Sequence, residues 1–295
     1  MATPSAARGP CERYVPALLF GPLVEPVVHP KPGGVTRLRS HPDKGLGDFM
    51  AHAAAVGSAL MVACEASASG AGDPVEAGLE AYGDSLDELG VKTNVGLGHA
   101  VLLVPLAAAL PSWRGGLERL ASEASRIARG AGEGAGAAYA RLLARLSPSH
   151  LGSYRGPAPD VARPGARTAR FADLLRASAW DLVHSEVLGG YRLSLRAARW
   201  VEDLVRGGRG LEEAAAIALL RLISEAGDTL TALRHGMRAY LIMRAEASLA
   251  LASPDPLAAA ERLDAEWRRR GWSPGSAMDV LAASISLLYL KWLSN

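Results

Sequence analysis

Chemistry concentrates first around a lysine bracketed by prolines. Pro30-Lys31-Pro32 is followed by Gly33 and Gly34, and Glu25 lies six residues before the lysine. The prolines fix the backbone on both sides, so the ammonium is presented at low entropic cost. The glycines let a ligand approach the main chain closely. A lysine held in this way suits a phosphate; the bland alternative is a Pro-rich turn with a solvated lysine. His41, Pro42 and Asp43 follow in the same loop. With Glu25 they offer oxygen ligands for Mg2+ or a general base. Read by itself, Pro42-Asp43-Lys44-Gly45 is simply a turn, since Asp favours turn geometry.

Three more polar groups stand where helices should begin. Thr93 and Asn94 precede a long apolar run. Either is a natural N-cap, and a helix start also offers free N–H groups to an anion. Asp228 opens another helix and shares a face with His235, seven residues on, while Arg234 lies off that face. Locally Asp228 reads as an N-cap. Ser276 to Asp279 has capping-box spacing, although an acidic residue at a buried helix start would equally hold a metal. Other patterns fail. The run GAGEGAG at 130–136 has no strand before it, and there is no Walker lysine, no G-x-S-x-G elbow and no H-E-x-x-H. The basic run Arg268-Arg269-Arg270 suits a helix C-terminus and its dipole, and is read as nothing more.

Helices must position these groups. Ala, Leu, Arg and Glu dominate the composition and only 5% of residues are aromatic, a balance that favours helix over strand. Apolar residues at spacings of three and four predict a short helix over 15–24, then helices near 48–69, 74–89, 95–110, 114–129, 134–146, 168–188, 191–206, 211–224, 229–252, 256–270 and 277–293. The expected fold is all-α. Residues 1–12 form a loose tail and 13–295 a single bundle of about ten helices, with a long Pro/Gly-rich loop near its N-terminus and a surface crossover at 147–167. The apolar run 95–110 contains glycine, histidine and proline and is shorter than the roughly 20 residues that span a bilayer, so no membrane partner is expected. A net charge of +2 argues against general nucleic-acid binding. Cys11 and Cys64 allow one bridge but no disulfide framework, and a reducing, cytoplasmic compartment is expected.

Taken together, these segments resemble the triphosphoribosyl-dephospho-CoA synthase family. That family's loop reads E-x-x-x-x-P-K-P-G-x-V and then H-x-D; here Glu25, Pro30 to Gly33, Val35, His41 and Asp43 stand in that order. Gly90 to Gly96 matches its second block, with Lys92 in place of the usual asparagine. Asp228, Thr229, Arg234 and Gly236 match the third, and Pro274, Gly275 and Asp279 the last. The resemblance implies a transferase that moves the triphosphoribosyl group of ATP onto the 2′-hydroxyl of 3′-dephospho-CoA and releases adenine, making a prosthetic-group precursor. It implies Mg2+ as cofactor, with ATP and dephospho-CoA as substrates. It puts Lys31, Gly33, Thr93, Asn94 and Arg234 on ATP or its phosphates, Asp43, Asp228 and Asp279 on the metal, and Glu25, His41 and Asp228 in catalysis. The departures leave a related acceptor open. A helical Mg-dependent nucleotide phosphohydrolase and a non-catalytic helical binding module are the rival readings. The oligomeric state stays open, a homodimer among the options.

Overall fold

The computed structural model describes residues 9–146 and 169–294. The crossover expected at 147–167 and most of the expected N-terminal tail lie outside the described residues. Among the described residues there are thirteen α-helices and no strand. They are α1 (Pro10–Val24), α2 (Leu46–Ser69), α3 (Pro74–Glu88), α4 (Leu97–Ala109), α5 (Leu117–Gly130), α6 (Glu133–Leu146), α7 (Phe171–Ala177), α8 (Leu182–Gly189), α9 (Arg192–Arg206), α10 (Leu211–Ala226), α11 (Thr229–Leu251), α12 (Pro256–Arg269) and α13 (Gly275–Ser294). The fold is all-α.

Two boundaries differ from the sequence expectation, each for a local reason. The loose tail expected over 1–12 ends sooner, because Pro10 starts α1 at a position where its missing N–H costs nothing. Cys11 is buried one residue later and bonded to Cys64 of α2, closing a bridge across 53 positions. The single helix expected over 168–188 is two, α7 and α8. Asp181 restarts the chain by accepting hydrogen bonds from Val183 N (3.0 Å) and His184 N (3.2 Å).

Two helices form the centre. Every residue of α4 except Gly98 is buried, as a helix that is apolar all round must be. α4 packs against α2, α3, α5, α8 and α13; α13 packs against α1, α4, α8, α9 and α10. By length and composition α2 and α13 are both apolar enough to cross a membrane. In this fold α2 lies against α1, α3 and α4, and α13 is largely enclosed. Gly236 leaves helical geometry inside α11, which bends there. The N-terminal ends of α4, α8, α11 and α13 converge beside the loop that joins α1 to α2.

Candidate active site

The loop between α1 and α2 is folded back on itself. Thr36 and Arg39 exchange main-chain hydrogen bonds, and His41 N donates to Lys44 O. His41 Nε2 lies 2.9 Å from Gly33 O. A carbonyl only accepts, so Nε2 carries the proton. Gly33 has φ +71°, and a Cβ there would meet Trp272 O at 2.4 Å, so glycine alone fits.

A cleft opens beside this loop. The loop contributes Glu25, His41 and Lys44 to its wall, and the start of α4 contributes Asn94 and His99. Asp181, Arg234 and Asp279 close it from α8, α11 and α13. Glu25 sits on a 3-10 turn just after α1 and is 1% exposed. Its Oε1 accepts from Lys31 Nζ, which also donates to the Glu25 main-chain oxygen at 2.7 Å. Oε2 is buried and finds no hydrogen-bond partner among the described residues. Asp279 approaches α4 where Gly98 has no side chain; a Cβ at Gly98 would fall 2.1 Å from Asp279 Oδ2. Asp279 Oδ1 is 3.3 Å from His99 Nε2.

Burial sets the electrostatics here. It pushes the Asp279 carboxyl well above the usual range, and the negative charges of Glu25, Asp181 and Asp228 push the same way; Lys44 opposes them. Burial lowers the His99 pKa to about 3, with help from the Lys31 charge, so this ring is neutral at pH 7. His41 and Lys44 are also lowered, chiefly by desolvation.

Of the residues singled out in the sequence, Glu25, His41, Asn94, Arg234 and Asp279 line the cleft. Lys31, Gly33, Asp43, Thr93 and Asp228 do not. Lys31 is fully buried against Glu25 rather than open to a phosphate. Burial lowers its pKa and the Glu25 carboxylate holds it up. Gly33 turns its N–H to Asp264 Oδ1 at 2.9 Å. Thr93 joins two loops: its hydroxyl donates to Asp48 Oδ1 (3.1 Å), and Asp48 Oδ2 accepts from Gly45 N (2.8 Å). Its carbonyl accepts from His52 Nε2 at 2.7 Å, which leaves His52 Nδ1 to accept from the Tyr82 hydroxyl at 2.6 Å. Asp43 is exposed on the turn before Lys44.

Asp228 is fully buried and caps two helices at once. Oδ1 accepts from Thr231 N at 2.6 Å, and Oδ2 accepts from Ala277 N at 3.0 Å, in the first turn of α13. The expected metal set of Asp43, Asp228 and Asp279 is therefore not assembled. Among the described residues no three His, Cys, Asp or Glu side chains form a metal-holding group. Among the described residues the donor set does not fit a resident Mg2+.

Desolvation raises the Asp228 pKa to about 6, against the pull of its two backbone N–H partners. A carboxyl raised in the folded state favours folding when protonated. The stabilisation is complete below the unfolded value near 4 and is lost as pH rises through about 6. On the order of 3 kcal/mol should disappear across that window from this group. Asp228→Asn cannot titrate, so its urea-unfolding free energy should fall less than that of the wild type between pH 4 and pH 7. Parallel pH curves for the two proteins would rule out Asp228 as the source.

Two cleft residues carried weak sequence signals. Lys44 lay in the right loop, but nothing in its spacing separated it from Lys31. Asp181 was hidden inside a segment that reads as continuous helix; its Oδ2 accepts from the Thr229 hydroxyl at 3.0 Å, tying α8 to α11.

The chain matches the CitG family model, described as ATP:dephospho-CoA triphosphoribosyl transferase, over residues 11–295. No curated protein matches it. A crystal structure from Archaeoglobus fulgidus, provisionally named a triphosphoribosyl-dephospho-CoA synthase, superposes with a TM-score of 0.59 at 18% identity. The match covers 81% of this chain and 98% of that one. At such identity this likeness speaks for the fold alone.

Proposed function

The chain belongs to the CitG family, a family of transferases that act on ATP and dephospho-CoA, and from that premise we propose a pentosyl transfer at this cleft. The 5-triphosphoribosyl group of ATP moves to the 2′-hydroxyl of 3′-dephospho-CoA, adenine leaves, and the product is a prosthetic-group precursor. The bond broken is the N-glycosidic bond of ATP. Positive charge develops on the sugar as it breaks, and carboxylates stabilise such a cation. Glu25 and Asp181 line the cleft for this purpose, and Asp279, its carboxyl pushed up by burial, stands beside them as a hydrogen-bonding group.

Glu25 Oε2 takes the proton of the acceptor hydroxyl. Lys31 holds the other oxygen of that carboxylate and so fixes which oxygen is free. Lys44 and Arg234 hold the triphosphate, and Asn94 donates beside them; His41, whose Nε2 proton goes to Gly33 O, keeps only Nδ1 as an acceptor. Asp228 acts indirectly, by tying the first turn of α13, which carries Asp279, to the start of α11. Magnesium enters with ATP, as part of the substrate. The observation that carries this reading is Glu25 Oε2, a buried carboxylate oxygen without a partner on the wall of the cleft. A biosynthetic reaction that consumes ATP supports a cytoplasmic location. The Cys11–Cys64 bridge is unusual in that compartment, and both of its cysteines are buried away from thiol reductants.

Incubation with ATP, Mg2+ and dephospho-CoA, followed by mass analysis, tests the reaction. Adenine and a triphosphoribosyl adduct of dephospho-CoA should appear in equal amounts. Pyrophosphate or phosphate without adenine would replace this reading with phosphoanhydride cleavage.

A further inference from the structure

The basic end of α12 does more than answer a helix dipole. Asp264, 1% exposed, accepts three hydrogen bonds: Gly33 N (2.9 Å) and Arg268 Nε (2.8 Å) on Oδ1, and Arg39 Nη1 (2.6 Å) on Oδ2. Arg268 spreads its guanidinium over two main-chain carbonyls of the loop. Nη1 donates to Ser40 O at 3.0 Å and Nη2 to Gly34 O. Glu261 reaches the same loop at His29 Nε2, 3.2 Å away. Positions 261, 264 and 268 lie on one face of the helix. That face grips the loop at both ends of its fold, near Gly33 and near Ser40.

Neither Asp264 nor Arg268 lines the cleft. The residues immediately beyond their grip do: His41 follows Ser40, and Lys44 is bonded to His41 through the main chain. α12 is anchored without the loop. Trp267 is fully buried and donates its indole N–H to Glu246 Oε2 of α11 at 2.7 Å. A helix anchored by its own core is a fixed support, and a planar fork reaching two carbonyls is a directional hold that a lysine cannot reproduce.

We propose that Asp264 and Arg268 are positioning residues for the transfer, setting the loop conformation that brings Lys44 and His41 onto the cleft wall. The proposal rests on the reading of the cleft as the ATP site.

The test combines ATP titration calorimetry, adenine release and thermal unfolding on one set of variants. Arg268→Lys keeps the charge and loses the fork; Asp264→Asn keeps the shape and loses the charge. Each should weaken ATP binding at least about tenfold, the scale of one charge-assisted hydrogen bond. Arg269→Ala removes an equal charge from the exposed side of the same helix, where its partner is Glu266, and should leave binding unchanged. The deciding measurement is a cycle with Lys44→Ala. If the clamp acts through Lys44, Arg268→Lys costs little further ATP affinity once Lys44 is gone, while the effects of the two changes on unfolding still add. Full ATP affinity in Arg268→Lys, or losses that multiply in the double variant, would overturn the proposal. Should Asp264→Asn fail to fold, Arg39→Ala removes one bond to Asp264 from a half-exposed side chain and reads the same loss. A wild type that binds ATP but releases no adenine refutes the proposed reaction, and the affinity cycle still decides the clamp. A wild type that does not bind ATP refutes both.

Discussion

Glu25→Gln should lower adenine release by about a thousandfold, the middle of the range for loss of a general base. It should also destabilise the protein. The amide cannot take a proton from the acceptor hydroxyl, and it leaves the Lys31 ammonium buried without a counter-charge. Removing one member of a buried ion pair typically costs about 3–5 kcal/mol. These two consequences separate in the double variant. Glu25→Gln with Lys31→Met removes both charges and replaces the ammonium with an apolar side chain of similar length. Stability, read from urea unfolding, should largely return. Activity should not, because the proton acceptor is still missing. A double variant that releases adenine at the wild-type rate would place the base elsewhere and leave Glu25 as a structural partner of Lys31.

Lys44→Ala should weaken ATP binding by about a hundredfold, as expected for loss of a charged donor to a triphosphate. Its effect on folding should be small, since Lys44 is only half-buried on the wall of the cleft. Lys31→Ala should do the reverse. It strands the buried Glu25 carboxylate and should lower the unfolding midpoint more than it changes ATP affinity. This inverts the expectation from the sequence, where the proline-bracketed lysine looked like the phosphate ligand. The pH dependence supplies an independent check. Desolvation lowers the Lys44 pKa, so the part of ATP affinity that depends on its charge should fade, as pH rises, below the ordinary lysine value of 10.5. Calorimetry on wild type and Lys44→Ala across neutral and alkaline pH reads it. A variant that binds ATP as the wild type does would remove Lys44 from the triphosphate site.

What the sequence disclosed follows from how local each signal is. Helix periodicity repeats every turn, so the all-α class and most helix spans were legible from apolar spacing alone. The break at Asp181 was not, because a single capping residue within an apolar run leaves that periodicity almost intact. The loop was legible as a loop from its prolines and glycines. Which of its side chains turn inward was not, since irregular backbone has no period from which to infer direction. Lys31 and Lys44 are the clearest case. Asp228 was legible as a helix cap; that its second oxygen reaches α13, 49 positions away, depends on a tertiary contact. The grip of Arg268 on Gly34, across 234 positions, left no local mark beyond a basic helix end.

The Cys11–Cys64 bridge has a mechanical consequence. It closes a ring of chain that contains the whole loop from Glu25 to Gly45. Under tension applied outside the ring, load passes from residue 11 to residue 64 through the sulfurs, and the segment between them stays slack. Full extension then falls short by about 180 Å, from 53 residues at ~3.4 Å each. Stretching would unravel α11 and α13 and carry Arg234 and Asp279 away from the cleft. Glu25, His41 and Lys44 would remain looped off from the pull until the bridge itself is cut.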